Sequence, residues 1–253
     1  MVLGTTGEPS TVTPSERTAI LECAVARCGH RVPLIAGTGS NDTAAAIRLS
    51  QEAQLLGADG LLVVTPYYNR TSRDGLIAHY TAIAESVELP IIMYNVPGRT
   101  GVNLPPETVA ELAKHSNLCA VKEASGDLRQ MTGLAAACGD GIAVYSGNDD
   151  QVVPAMSLGA RGVVSVAANI IPEVMHDMAA LWLDGNVRES LNLQLRYLPL
   201  IRALFSEVNP IPVKAALSLL GRCENSLRLP LCPLAGEPLE ALRHVMEQAE
   251  LLK

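Results

Sequence analysis

Short runs of apolar and β-branched residues alternate with longer stretches of helical period through most of the chain. Val32–Ala36, Gly60–Val64, Pro90–Tyr94, Leu118–Glu123 and Ile142–Ser146 are continuously apolar up to polar ends, as strands buried on both faces of a sheet should be. Met1–Gly4 reads as a strand end and Gly162–Val166 as the last strand. Between them lie helical patterns. Thr13-Pro14-Ser15-Glu16 predicts a helix to about Cys28, with Thr13 as cap, Pro14 in the first position and Glu16 completing a capping box. Further helices are predicted over Thr43–Leu56, Asp74–Ser86, Pro106–Lys114, Leu128–Cys138 and Val152–Leu158. From Pro172 the chain is helical: Glu173–Asp184, Val187–Phe205, Val213–Leu220 and Pro238–Leu252.

Alternating strands and helices imply parallel pairing through right-handed crossovers. The period, the length and the position of the polar, glycine-rich loops after the strands predict an α/β fold, a (β/α)8 TIM barrel. Residues 1–171 would supply the barrel, and residues 172–253 a C-terminal helical region completing the same domain. Seven strands are predicted where a closed barrel needs eight, so the expectation is a barrel lacking its first βα unit, the seven being strands two to eight.

Composition narrows the class. Hydrophobic residues make up 48% of the 253 and charged ones 18%, the balance of a filled globular core. A net charge of −7 and the lack of any basic cluster argue against nucleic acid as a partner. No apolar run approaches the roughly 20 residues needed to span a bilayer, and Met1-Val2-Leu3-Gly4 does not resemble a secretory leader. Six cysteines without CxxC or zinc spacing suit a reducing, cytoplasmic compartment. The five histidines, His30, His79, His115, His176 and His244, share no spacing and read as structural or solvent-facing; no metal set and no dinucleotide or P-loop fingerprint is present.

The candidate chemistry centres on Lys122, at the C-terminal end of a buried strand, where parallel α/β folds gather their active residues. Desolvation there lowers an amine's pKa and makes a Schiff-base nucleophile of it; the plainer alternative is a strand-end lysine reaching solvent. Tyr94 ends the preceding strand and could relay protons beside Lys122, or could be a core-edge tyrosine. Gly4-Thr5-Thr6-Gly7-Glu8 offers turn N–H groups and two hydroxyls to an anion. Arg99, in a turn held by Pro97 and Gly98, could fork a carboxylate or lie on the surface.

Taken in order, these stretches resemble one family over essentially the whole chain. Gly4–Glu8, Tyr67-Tyr68-Asn69, Tyr94-Asn95-Val96-Pro97-Gly98-Arg99-Thr100-Gly101, Val121-Lys122-Glu123, Ser146-Gly147-Asn148-Asp149, Gly162-Val163-Val164-Ser165 and Asn209–Lys214 are similar to the dihydrodipicolinate synthase family. The resemblance implies a cofactor-free, metal-free lyase of lysine and diaminopimelate biosynthesis. It would condense pyruvate with L-aspartate 4-semialdehyde to 4-hydroxy-tetrahydrodipicolinate, as a homodimer or homotetramer in the cytoplasm. Lys122 would form the imine and Tyr94 would shuttle the proton. Thr5 would bridge Tyr94 to a Tyr68 supplied by the neighbouring subunit. Thr6 would hold the pyruvate carboxylate, Arg99 that of the semialdehyde, and the backbone near Gly147 and Val164 would line the pocket.

Related lyases for N-acetylneuraminate or 2-keto-3-deoxy sugar acids share the lysine and tyrosine, and an inactive truncated member is a further alternative. At the effector site of lysine-inhibited relatives the resemblance places Asn41, Ala45 and Tyr67. Ala45 stands where a glutamate is expected and Arg17 where a histidine is, so that site is expected to be degenerate.

Overall fold

The computed structural model describes residues 1–29 and 31–252; His30 lies outside the described residues. The chain divides into two compact units. The first comprises Met1–Gly147 with Leu158–Arg161, the second Asn148–Ser157 with the chain from Gly162 onward.

The first unit is built on a five-stranded parallel sheet in sequential order. Its strands are β1 (Ile35–Gly37), β2 (Gly60–Val64), β3 (Ile91–Asn95), β4 (Leu118–Glu123) and β5 (Ala143–Ser146). Helices α1 (Pro14–Cys28), α2 (Thr43–Leu55), α3 (Arg73–Glu85), α4 (Pro97–Thr100), α5 (Pro106–Leu112) and α6 (Leu128–Cys138) belong to the same unit. The capping box of α1 forms as its sequence predicts: Thr13 Oγ1 accepts from the Glu16 N–H, and Glu16 Oε2 from the Thr13 N–H at 2.9 Å. Asp127 likewise caps α6 by accepting from the Arg129 N–H at 2.8 Å.

Strand alternation sorts the buried residues into two sets. Leu62, Tyr94 and Val96 form one cluster, with Ile35, Val64, Ile92 and Ala124 packed against it. Leu61, Val63, Ile91, Met93 and Val121, on the opposite parity, are fully buried as well. Both faces of the strands are therefore apolar, which explains their uninterrupted hydrophobic sequences. Tyr80 on α3 donates its hydroxyl to the Val63 carbonyl, tying the helix to the strand.

Two predicted strands differ. Met1–Gly4 contributes one parallel bridge, Val2 to Ala36, with hydrogen bonds of 2.9 Å from Val2 N–H to Ile35 O and from Gly37 N–H to Val2 O. Gly162–Val166 contributes a bridge at Val163 alone, and among the described residues five strands stand where seven were predicted. In the first stretch a bend begins at Leu3, directly after the bridge; in the second a bend at Val166 leads into the turn of Ala167–Asn169. The turn predicted around Arg99, held by Pro97 and Gly98, is the short helix α4.

The second unit holds α7 (Val152–Ser157), α8 (Pro172–Leu183), α9 (Val187–Ala203), α10 (Ile211–Leu219) and α11 (Gly236–Gln248). Its polar centre is Asp149, 1% exposed, which accepts from the Val166 and Ala167 N–H groups at 2.9 and 2.8 Å. Gln194 on α9 spans the Val153 N–H and the Asp149 carbonyl. Among the described residues no helix is long and apolar enough to cross a membrane.

Candidate active site

The strand ends of β3 and β4 set the central pair. Tyr94 and Lys122 are directly opposite in register, and Lys122 Nζ lies 4.0 Å from the centroid of the Tyr94 ring. That register depends on an irregularity. Ile91 pairs with Leu118 but Ile92 with Ala120, so Cys119 is an extra residue in β4. Without it the pairing begun at Leu118 would carry Lys122 opposite Asn95, a residue of the other face.

Both side chains are nearly closed off from solvent, Lys122 at 8% exposure and Tyr94 at 5%. Burial raises the Tyr94 phenol above its ordinary value; a hydrogen bond from Thr5 and the positive charge of Arg99 pull the other way. At neutral pH Tyr94 therefore carries its proton, and two neighbours favour the anion it would become on giving that proton up. Such a group can donate and recover a proton beside an amine.

Thr5 is brought there by Val2. The bridge to β1 runs the chain against Gly37, where a Cβ would collide with the Leu3 carbonyl. The chain then enters the Thr5–Gly7 turn, closed by the Gly7 N–H on the Gly4 carbonyl at 2.8 Å. Thr6 is the middle residue of this turn and is half-buried.

Gly147 follows β5 and donates its N–H to the Glu123 carbonyl at 2.7 Å. A Cβ on it would stand 2.5 Å from the Ala124 Cβ and 3.0 Å from Lys122 Cε. Only a glycine lets this backbone approach the lysine so closely. Val164 belongs to the second unit.

Arg99 is exposed on α4, and Tyr68 lies 90% exposed on the loop after β2 with φ at +69°, a conformation rare for an aromatic residue. Tyr67 is 37% exposed. Asn41 accepts through its carbonyl from Asn69 Nδ2 at 2.9 Å, and Ala45 sits in the first turn of α2, capped by Asp42. Arg17 is buried and donates to the Gly37 carbonyl, and burial lowers its pKa against the opposing charge of Glu52.

Sequence reasoning missed the polar lattice behind the pair. Glu123, 2% exposed, accepts from Asn95 Nδ2 at 2.9 Å, Gln130 Nε2 at 2.7 Å and the Ser125 N–H at 2.6 Å. Asn95 also donates to Asn103, which donates to Gln130, closing a ring. Asn95 and Glu123 are each the residue after Tyr94 and Lys122, so their polar character at the end of apolar strands was the available signal. Thr65 and Thr100, joined by a buried 3.2 Å hydrogen bond, were missed too. Among the described residues no group of three or more His, Cys, Asp and Glu side chains could hold a metal ion.

Residues 1–249 match the model of the Dihydrodipicolinate synthetase family. A 4-hydroxy-tetrahydrodipicolinate synthase of Thermoanaerobacter sp. (strain X514) is 50% identical over 254 residues, covering 100% of this chain and 86% of the relative. The crystal structure of the chloride-inhibited dihydrodipicolinate synthase from Acinetobacter baumannii, complexed with pyruvate, superposes with a TM-score of 0.97 at 44% identity, covering 99% of this chain and 87% of that one. The enzyme from Cyanidioschyzon merolae with lysine bound gives 0.96 at 41% identity, covering 99% of this chain and 86% of that one.

Proposed function

The chain belongs to the dihydrodipicolinate synthetase family, and from that premise we propose that Lys122 is the amine through which it condenses pyruvate with L-aspartate 4-semialdehyde. The product is 4-hydroxy-tetrahydrodipicolinate, and the activity is that of a lyase in lysine and diaminopimelate biosynthesis. The Lys122 amine attacks C2 of pyruvate, and the carbinolamine loses its hydroxyl as water to give an imine. The protonated imine draws electrons from the pyruvate methyl, which loses a proton and becomes an enamine nucleophile. That carbon bonds to the aldehyde carbon of the second substrate, whose oxygen takes up a proton. The product's own amino group then displaces Lys122 from the imine, so one water leaves per turnover and the amine is regenerated.

Tyr94 is the proton carrier in these steps, held by Thr5 and favoured as an anion by the cation of Arg99. Thr6 receives the pyruvate carboxylate, Arg99 that of the semialdehyde, and the backbone at Gly147 lines the pocket beside Lys122. Tyr68 completes the relay of a neighbouring subunit in a homodimer or homotetramer, a reading its exposure supports. Asn41, Ala45 and Tyr67 form a degenerate effector site. The finer architecture we propose is a (β/α)8 barrel, supported by the sequential parallel order of β1 to β5 and by Val2 bridging to β1. The location in this reading is the cytoplasm.

The observation that carries this reading is the Lys122 amine 4.0 Å from the ring of a buried, Thr5-bonded tyrosine. Borohydride with labelled pyruvate should add one reduced pyruvate to the Lys122 peptide, and Lys122→Ala should abolish the label. Label on Lys114 or Lys214 would falsify the assignment. Arginine at position 122 should not rescue, because a guanidinium keeps its proton.

A further inference from the structure

We infer that Thr100, through its hydroxyl and the hydrogen bond from Thr65, is a positioning residue for the second substrate. It fixes the turn that presents Arg99 and joins it to the loop that presents Tyr68. This rests on the proposed role of Arg99 as the carboxylate acceptor.

Arg99 is exposed on a helix of four residues, too short to hold a side chain by its own hydrogen bonds. The turn contains three backbone bonds: Arg99 N–H and Thr100 N–H to the Val96 carbonyl at 2.9 and 3.1 Å, and Gly101 N–H to that of Pro97 at 2.9 Å. What ties it to the rest of the unit is the buried side of Thr100, which is 4% exposed. Thr100 Oγ1 accepts from Thr65 Oγ1 at 3.2 Å and from the Val102 N–H at 3.2 Å. Its own proton serves the Val102 carbonyl at 2.9 Å, with that of Val96 at 3.3 Å. A hydroxyl has one donor and two acceptor positions, so this one is filled.

Thr65 carries the connection onward. It is fully buried, one residue past β2, and its N–H donates to the Tyr94 carbonyl at 3.0 Å. The Thr100 carbonyl meanwhile accepts from the Tyr68 N–H at 3.4 Å. One residue thus ties the arginine turn to the strand end of Tyr94 and to the strained backbone at Tyr68. Lys122 and its register with Tyr94 are set by the β3–β4 ladder, which Thr100 does not enter. Loss of the hydroxyl should therefore loosen Arg99 and bear on the aldehyde far more than on imine formation, since the charge of Arg99 is the smallest of the influences on Tyr94.

The test compares Thr100→Val, which keeps shape and loses the oxygen, with Thr100→Ser, which keeps the oxygen. Steady-state KM for L-aspartate 4-semialdehyde and the rate of borohydride-trapped imine with pyruvate are measured for each. In Thr100→Val the aldehyde KM should rise roughly tenfold, as expected for stranded buried donors, while trapping stays within about twofold. Thr100→Ser should return the KM toward the parent value. Thr65→Val, which removes only the donor, should shift the KM in the same direction and serves if Thr100→Val does not fold. An unchanged aldehyde KM in the folded valine variants, or a parallel fall in imine trapping, overturns the inference. Arg99→Ala is the reference. If it leaves the aldehyde KM unchanged, the role of Arg99 falls and this inference with it; if it raises that KM and the threonine variants do not, only the inference falls.

Discussion

Gly147→Ala measures how tightly the lysine is held. The added methyl would stand 2.5 Å from the Ala124 Cβ, 3.3 Å from the Ala124 Cα and 3.0 Å from Lys122 Cε. Carbon atoms in contact rest at about 3.5–4.0 Å, so the worst overlap is roughly 1 Å. Neither wall yields easily. The Gly147 N–H is bonded to the Glu123 carbonyl at 2.7 Å and the Ala124 N–H to that of Asn95 at 2.9 Å. The movable partner is the lysine stem, which must swing away from the new methyl. Overpacking of this size costs about 1–3 kcal/mol, which for a chain of this length lowers the melting temperature by roughly 2–12 °C. The larger effect should be kinetic, because displacing a reacting atom by about 1 Å can cost on the order of a hundredfold. The assay is the single-turnover rate of borohydride-trapped imine with labelled pyruvate, at a temperature well below melting. Gly141→Ala, where an added methyl meets nothing within 4 Å, is the control. Imine formation at the parent rate in Gly147→Ala would show that the lysine does not depend on this close approach.

Three further outcomes are expected. A mixture of Tyr68→Phe and Lys122→Ala subunits should regain part of the activity if Tyr68 serves a neighbour; no gain in verified hetero-oligomers would place it within its own subunit or outside the reaction. Lysine at millimolar concentration should inhibit little, since Ala45 offers no carboxylate and an unpaired buried cation costs about 3 kcal/mol or more, over a hundredfold in affinity. Inhibition at micromolar lysine would mean that another group supplies the anion. The third concerns His79, buried, bonded through Nδ1 to Thr43 at 2.9 Å and held below its ordinary pKa by burial, against the charge of Asp42. The unfolded chain then binds a proton first on acidification, so stability is lost as pH falls below about 6.5. The drop in melting temperature between pH 7 and 5 should be smaller in His79→Gln, and an equal drop would rule out this linkage.

Local rules written into the chain were enough for the helix starts and the sheet. Thr13 with Glu16, and Asp127, act within one turn of backbone, so their caps follow from sequence alone. The run Gly60–Val64, and the run Leu118–Val121 that closes on Lys122 and Glu123, are strands with the predicted bounds. Lys122, Tyr94, Thr5 and Arg99 were singled out from residue types at strand ends and from motif resemblance. Their mutual geometry was not legible, because it depends on pairings between distant segments. The extra residue at Cys119 decides that Lys122 faces Tyr94 and not Asn95, and no run of hydrophobicity announces such a shift. The bridge of Val2 to β1 decides where Thr5 stands, and the Thr65–Thr100 bond joins residues 35 apart. Sequence chose the groups and the strands that carry them; tertiary structure chose which groups meet, since register and close approach are properties of two segments at once.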